Sequence, residues 1–203
     1  MPNWVYNEVR IAGDRELLEE VRVFLRGDEG EFDFNKLIPE PKELLQFDSP
    51  LGRDEVIKYV STHISLKNAP FPDSDLEEAK QALSNVRKYG ARDWYDWRCG
   101  HWGTKWNTAN AESEFVNGEL VYHFATAWSL AEPILQTLFN KYPTLDFVWE
   151  FHEENECTYL DDDCEEWIET WHIAEACDIS PSDIEDGADR PYFVTDVERP
   201  GCN

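Results

Sequence analysis

Basic residues are scarce in this 203-residue chain: 18 Lys and Arg stand against 43 Asp and Glu, a formal net charge of −25. Nucleic-acid binding draws on cations that neutralise phosphates, so such a chain is repelled by a phosphate backbone. An anionic membrane surface is disfavoured for the same reason. Long apolar runs are missing too. No stretch approaches the ~18 uninterrupted apolar residues that a bilayer-spanning helix needs. The N-terminal MPNWVYNEV has no basic region ahead of an apolar run, so no secretory signal is expected. The expected location is the cytosol.

Close cysteine pairs are also lacking. Cys99, Cys157, Cys164, Cys177 and Cys202 form an odd, scattered set, which reads as free thiols rather than a disulfide framework. His152, Cys157, Cys164, His172 and Cys177 fall within 26 residues. Structural zinc sites, however, draw two ligands from one turn, and these gaps are irregular. No metal and no cofactor are expected. GxSxG, P-loop, HExxH and GxGxxG patterns are absent, and no catalytic residue is assigned. The chain is expected not to be an enzyme. A metal-dependent hydrolase would need acids and a histidine converging on a pocket, for which Asp93, Asp96 and His101, or the run Asp161, Asp162, Asp163, are the candidates. The five histidines are spread singly, and His123 and His172 fall within strand patterns, where a half-buried imidazole is the default.

The charge that is present is uneven. Residues 1–149 hold 25 acidic and 16 basic residues, and residues 150–203 hold 18 and 2. Acid excess keeps a protein soluble, and it attracts a basic partner.

Period-two alternation over Trp4–Ile11 predicts a strand. Asp14 then caps a helix carrying Leu17, Leu18, Val21, Phe24 and Leu25. Glu31–Ile38 alternates again and predicts a second strand, closed by Pro39 and Pro41. Residues 42–92 read as a helical insertion. Its first helix carries Val56, Ile57, Val60 and Ile64, and its second opens on an Asp75–Glu78 capping box. Asn117-Gly118 is a type I′ hairpin signal between Glu112–Val116 and Glu119–Ala127. A helix over Ser129–Phe139 and a strand over Leu145–His152 follow, then one more strand over Trp167–Ile173. The plan is α+β: a split β-α-β antiparallel sheet with helices on one face. Two parts are expected, a domain over residues 1–152 and an acidic extension over 153–203 with one strand and a partly irregular tail.

Four segments stand together: MPNWVYN, FDFNKLIPEP, YGARDWYDWRCGHWGTKWNT at 89–108, and FATAWS at 124–129. They resemble the YubB ferredoxin-like family of small phage and plasmid proteins over about residues 1–152. The resemblance implies a ferredoxin-like fold and brings no activity or catalytic residues with it.

Residues 93–107 hold four Trp and one Tyr. Buried, these rings cover the sheet; exposed, Trp94, Trp97, Trp102 and Trp106 with Arg98 form a platform for a small ligand or single-stranded nucleic acid. Packing is the leading reading. The function expected first is a non-enzymatic phage or plasmid accessory protein that binds a host protein through its basic, nucleic-acid-binding surface. It would be an anti-defence inhibitor acting by nucleic-acid mimicry, without direct nucleic-acid or membrane contact. The carboxylates expected to dock are Asp161, Asp162, Asp163, Glu165, Glu166 and Glu169.

Overall fold

A computed structural model describes residues 3–28 and 30–153, with two further segments, 169–173 and 194–196, described as strands. β1 (Trp4–Ala12) leads into α1 (Arg15–Leu25). The sheet resumes only at β2 (Ala109–Val116) and β3 (Glu119–Ala127), followed by α5 (Glu132–Lys141) and β4 (Asp146–Glu153). Between α1 and β2 lie α2 (Asp54–Thr62), α3 (Asp73–Tyr89) and α4 (Trp94–His101). Strand order is β2-β3-β1-β4, every neighbouring pair antiparallel. With α1 and α5 as the two crossover helices, this is the ferredoxin-like split β-α-β arrangement. β5 (Glu169–Ile173) and β6 (Val194–Asp196) extend the sheet beyond β4. The strand expected at 167–173 is therefore present, and β6 adds one that was not foreseen. The rest of the extension lies outside the described residues.

Local chemistry explains the elements. Asp14 accepts from the Glu16 and Leu17 amides and starts α1, whose Leu18, Val21 and Leu25 are buried. Asn117 (φ 53°) and Gly118 (φ 96°) both occupy the left-handed region, as a type I′ hairpin requires. On β1, Val5, Asn7, Val9 and Ile11 point to the helices and are buried. Asn7 is a polar residue in that apolar row. Its Nδ2 donates to the Val5 carbonyl and Thr126 Oγ1, and its Oδ1 accepts from Trp149 Nε1 at 2.8 Å. One buried side chain thus ties β1 to both of its neighbours, with its polar atoms partnered.

The strand expected over Glu31–Ile38 is not one. Phe32 and Phe34 are buried, so the alternation is real, but the backbone has no strand partner and turns into a 3-10 helix at Phe34–Lys36. Side chains take over the ladder. The Phe34 amide donates to Asn107 Oδ1 at 2.9 Å, and Thr108 Oγ1 donates to the Phe32 carbonyl. The two rings plug the core: Phe32 stacks on Phe124 at 5.0 Å, and Phe34 meets Trp102 edge-on at 5.8 Å. The insertion consequently runs from Arg26 to Thr108 rather than over 42–92. The expected capping box at Asp75 is also replaced. α3 starts two residues earlier, Pro72 flanks it, and Asp75 pairs with Arg53.

Asp93 fixes α4. It is fully buried, caps the Tyr95 and Asp96 amides, and accepts the Leu51 amide at 2.8 Å. Gly103 (φ 80°) passes beneath α5, where an added Cβ would sit 2.9 Å from the Leu130 carbonyl oxygen. At the β2 edge, Arg22 donates to Ser113 Oγ and to the Ser113 carbonyl, and the Arg15 guanidinium lies 3.4 Å above the Phe115 ring.

Asp93→Ala is expected to lower unfolding free energy by about 2–4 kcal/mol, because a cap and a buried acceptor go together; urea denaturation measures this. The Tyr122 hydroxyl is buried without a hydrogen-bond partner among the described residues, and burial pushes its pKa well above the usual phenol range. Tyr122→Phe should therefore gain about 1 kcal/mol at pH 7. The native phenol stays neutral while the unfolded one ionises near pH ~10, so stability is intact below that pH and is lost as pH rises beyond it. The variant should lose less than the wild type between pH 9 and pH 11.

Candidate functional site

The helices and the insertion cover one face of the sheet, and among the described residues no helix covers the other. Alternation along β1–β4 fixes which residues stand there: Tyr6, Glu8 and Arg10 on β1, Glu112 and Glu114 on β2, Glu119 and His123 on β3, and Asp146, Val148 and Glu150 on β4. Register aligns Glu112, His123, Glu8 and Glu150 in one row across four strands. Six carboxylates thus share a face with one guanidinium. Strand geometry sets their spacing at about 4.8 Å across the sheet and ~6.7 Å along it.

That guanidinium is already engaged. Arg10 lies 2.5 Å from Glu8 and 3.8 Å from Glu150, and the hydrogen bond to Glu8 holds its pKa above the ordinary value. His123 sits between two acids, its Nδ1 3.6 Å from Glu8 and its Nε2 3.9 Å from Glu114. Beside this row the small Ala125 leaves a depression of about 460 Å³, bordered by Tyr6 and His152, whose rings stack at 5.1 Å. His123 is exposed, not half-buried as expected for a strand histidine, and His152 is exposed as well; of the His172 side chain nothing is described. The chemistry available here is attraction of cations. Among the described residues of β1–β4 no Ser, Thr or Cys stands on this face.

Of the carboxylates expected to dock, Asp161, Asp162, Asp163, Glu165 and Glu166 lie outside the described residues. Glu169 opens β5, and nothing is described of its side chain. The acidic sheet face was missed by sequence reasoning, although the alternation of β1 and the glutamates at 112 and 114 carry its signal.

The tryptophan block proves mostly structural. Trp97 and Trp102 are buried in the core, where they pack edge-on against each other and Trp102 meets Phe34. Trp102 Nε1 donates to the Ile38 carbonyl. Arg98 lies 5.0 Å from both the Trp94 and Trp102 rings and forms a two-pronged ion pair with Glu40. Trp94 and Trp106 are half-buried. The structure does not bring the hydrolase candidates together as a site. Asp93 is a buried cap, Asp96 pairs with Arg92 at 2.7 Å, and His101 stacks on Trp97 while its Nδ1 donates to the Trp97 carbonyl. Cys99 is a free thiol whose pKa burial pushes up, the reverse of an activated nucleophile. Among the described residues no three His, Cys, Asp or Glu side chains are grouped to hold a metal ion, and no helix is long and apolar enough to cross a membrane.

Residues 101–187 match a family described as the ferredoxin-like domain in Api92-like protein. The match starts at the end of α4 and takes in β2, β3, α5, β4 and β5, the second half of the ferredoxin-like unit. Among solved structures, the crystal structure of the protein Api92 from Yersinia pseudotuberculosis is similar at 7% identity and a TM-score of 0.44, covering 85% of this chain and 95% of that one. No curated protein matches the chain.

Removing Arg10 should expose the repulsion it screens. Arg10→Gln is expected to cost up to about 1 kcal/mol at low ionic strength and much less in high salt. Urea midpoints of both proteins in 20 mM and 500 mM NaCl check this.

Proposed function

We propose that this chain is a non-enzymatic binding protein that docks its bare, acidic sheet face on the basic surface of another protein. The observation that supports it is the face of β1–β4 that no described helix covers, where six carboxylates share one side of the sheet with a single arginine that two of them already engage. A protein surface that accepts nucleic acid is the natural complement. B-DNA offers one negative charge per ~1.7 Å of axis, and a grid of carboxylates competes for the same lysines and arginines. The carboxylates of residues 154–203 add to the same sign of charge. Approach would be steered at long range and weakened by salt. The resemblance of the N-terminal and tryptophan-rich segments to the YubB ferredoxin-like group of phage and plasmid proteins accords with an inhibitor of a nucleic-acid-binding host factor. An anti-defence role by nucleic-acid mimicry is the form of this reading we favour.

The immobilised chain is expected to retain nucleic-acid-binding proteins from a nuclease-treated bacterial lysate, released as salt rises through a few tenths molar. A variant with Glu8, Glu112, Glu114 and Glu150 all changed to Gln should lose at least about tenfold in affinity for the retained protein, with its thermal midpoint kept or raised, since like charges have been removed. A second variant neutralising Asp161, Asp162, Asp163, Glu165, Glu166 and Glu169 weighs the extension: loss there alone moves docking to the extension. Retention by both variants with an unchanged salt profile defeats charge-directed docking.

A further inference from the structure

At the end of the sheet away from the Asn117-Gly118 hairpin, a second concavity of about 650 Å³ opens between the insertion and the starts of β1 and β2. That is the size of a small-molecule site. It shares no residue with the depression on the acidic face. We propose that this cleft binds a planar nitrogen heterocycle of the nucleobase class, as a free base or nucleoside.

Its aromatic wall is made by Trp4 and Trp106, two half-buried indoles with ring centroids 6.1 Å apart and planes inclined at 42°. Every base has a flat face that stacks on such a ring. Its polar wall is rigid. Asn107 Nδ2 donates to Asp33 Oδ1 at 2.7 Å, Asn107 Oδ1 accepts the Phe34 and Thr108 amides, and Asn35 Oδ1 accepts the Glu40 amide. These groups are occupied by one another and hold the shape.

Three groups remain for a ligand. Arg98 gives its Nε and Nη2 to the two oxygens of Glu40, at 2.9 and 2.7 Å, and its Nη1 has no hydrogen-bond partner among the described residues. The pair is deeply placed, with side-chain exposures of 18% for Arg98 and 3% for Glu40. Neither partner of such a pair can be left alone, so the pair holds the Arg98 guanidinium in one orientation at the cleft. Lys42 and Asp28 border the same cleft, exposed and without an ion pair among the described residues. The unspent groups are thus a guanidinium donor, an ammonium donor and a carboxylate acceptor beside an indole face.

A heterocycle whose edges carry both acceptors and donors matches that set. Guanine offers O6 and N7 as acceptors and its N2 amino group as a donor. Charge decides between nucleoside and nucleotide. Lys105 lies 4.6 Å from the Trp106 ring centroid, so Asp28, Asp33 and Glu40 are matched by Lys42, Arg98 and Lys105 around the cleft, and it is the −25 of the chain as a whole that disfavours a phosphate.

The test is titration of the full chain with guanosine, adenosine, guanosine monophosphate and glucose, followed by tryptophan fluorescence and by NMR signals of the indole N–H groups. Guanosine is expected to shift the Trp4 and Trp106 signals and to bind more tightly than its monophosphate. Trp106→Ala should weaken guanosine at least about tenfold, the loss of one stacked ring. Because that variant also removes a contact of Trp4, Asp28→Asn at an exposed position is the second variant, expected to weaken guanosine severalfold with no change in thermal midpoint. The proposal is overturned if no nucleoside shifts the indole signals, if glucose alone does, or if both variants bind guanosine like the wild type.

Discussion

The ion pair between Arg98 and Glu40 makes the long insertion part of the fold. It joins α4 to the segment that follows the aromatic plug, and the Arg98 guanidinium lies against Trp94 and Trp102. From that joint the rest follows. Trp102 reaches the Ile38 carbonyl, Phe34 and Phe32 fill the space over Phe124, and Asn107 and Thr108 serve backbone groups that a strand would otherwise have served. A charged pair in such a place has to be complete, because either partner left alone would be a buried, uncompensated charge.

Much of the fold was legible in the chain. Alternation on β1, the Asp14 cap and the Asn117-Gly118 hairpin were each read correctly because they are local: the residues that carry the signal are the residues that make the contact. The supposed strand at 31–38 failed for a physical reason. Alternation records which side chains are buried, and it is silent on what the backbone bonds to. There the partners are side chains more than seventy positions away. α4 went unread among its tryptophans, although Asp93 ahead of it was the available capping signal.

The candidate sites were less legible than the fold. Arg98 and Trp106 were named in the sequence for a ligand platform, but Trp4 meets Trp106 only once the fold has formed, and Glu40 reaches Arg98 from 58 positions away. The acidic face needed the register that places Glu112, His123, Glu8 and Glu150 in one row. Net charge told the sign of the surface and nothing of its layout.

The sheet is also unequal at its two sides. At β2 Arg22 takes the Ser113 carbonyl and Arg15 lies over the Phe115 ring, whereas beyond β4 two more strands are added. A carbonyl already taken is one acceptor fewer for a strand of another molecule, and the two guanidinium groups bring charge to the margin where such pairing would start.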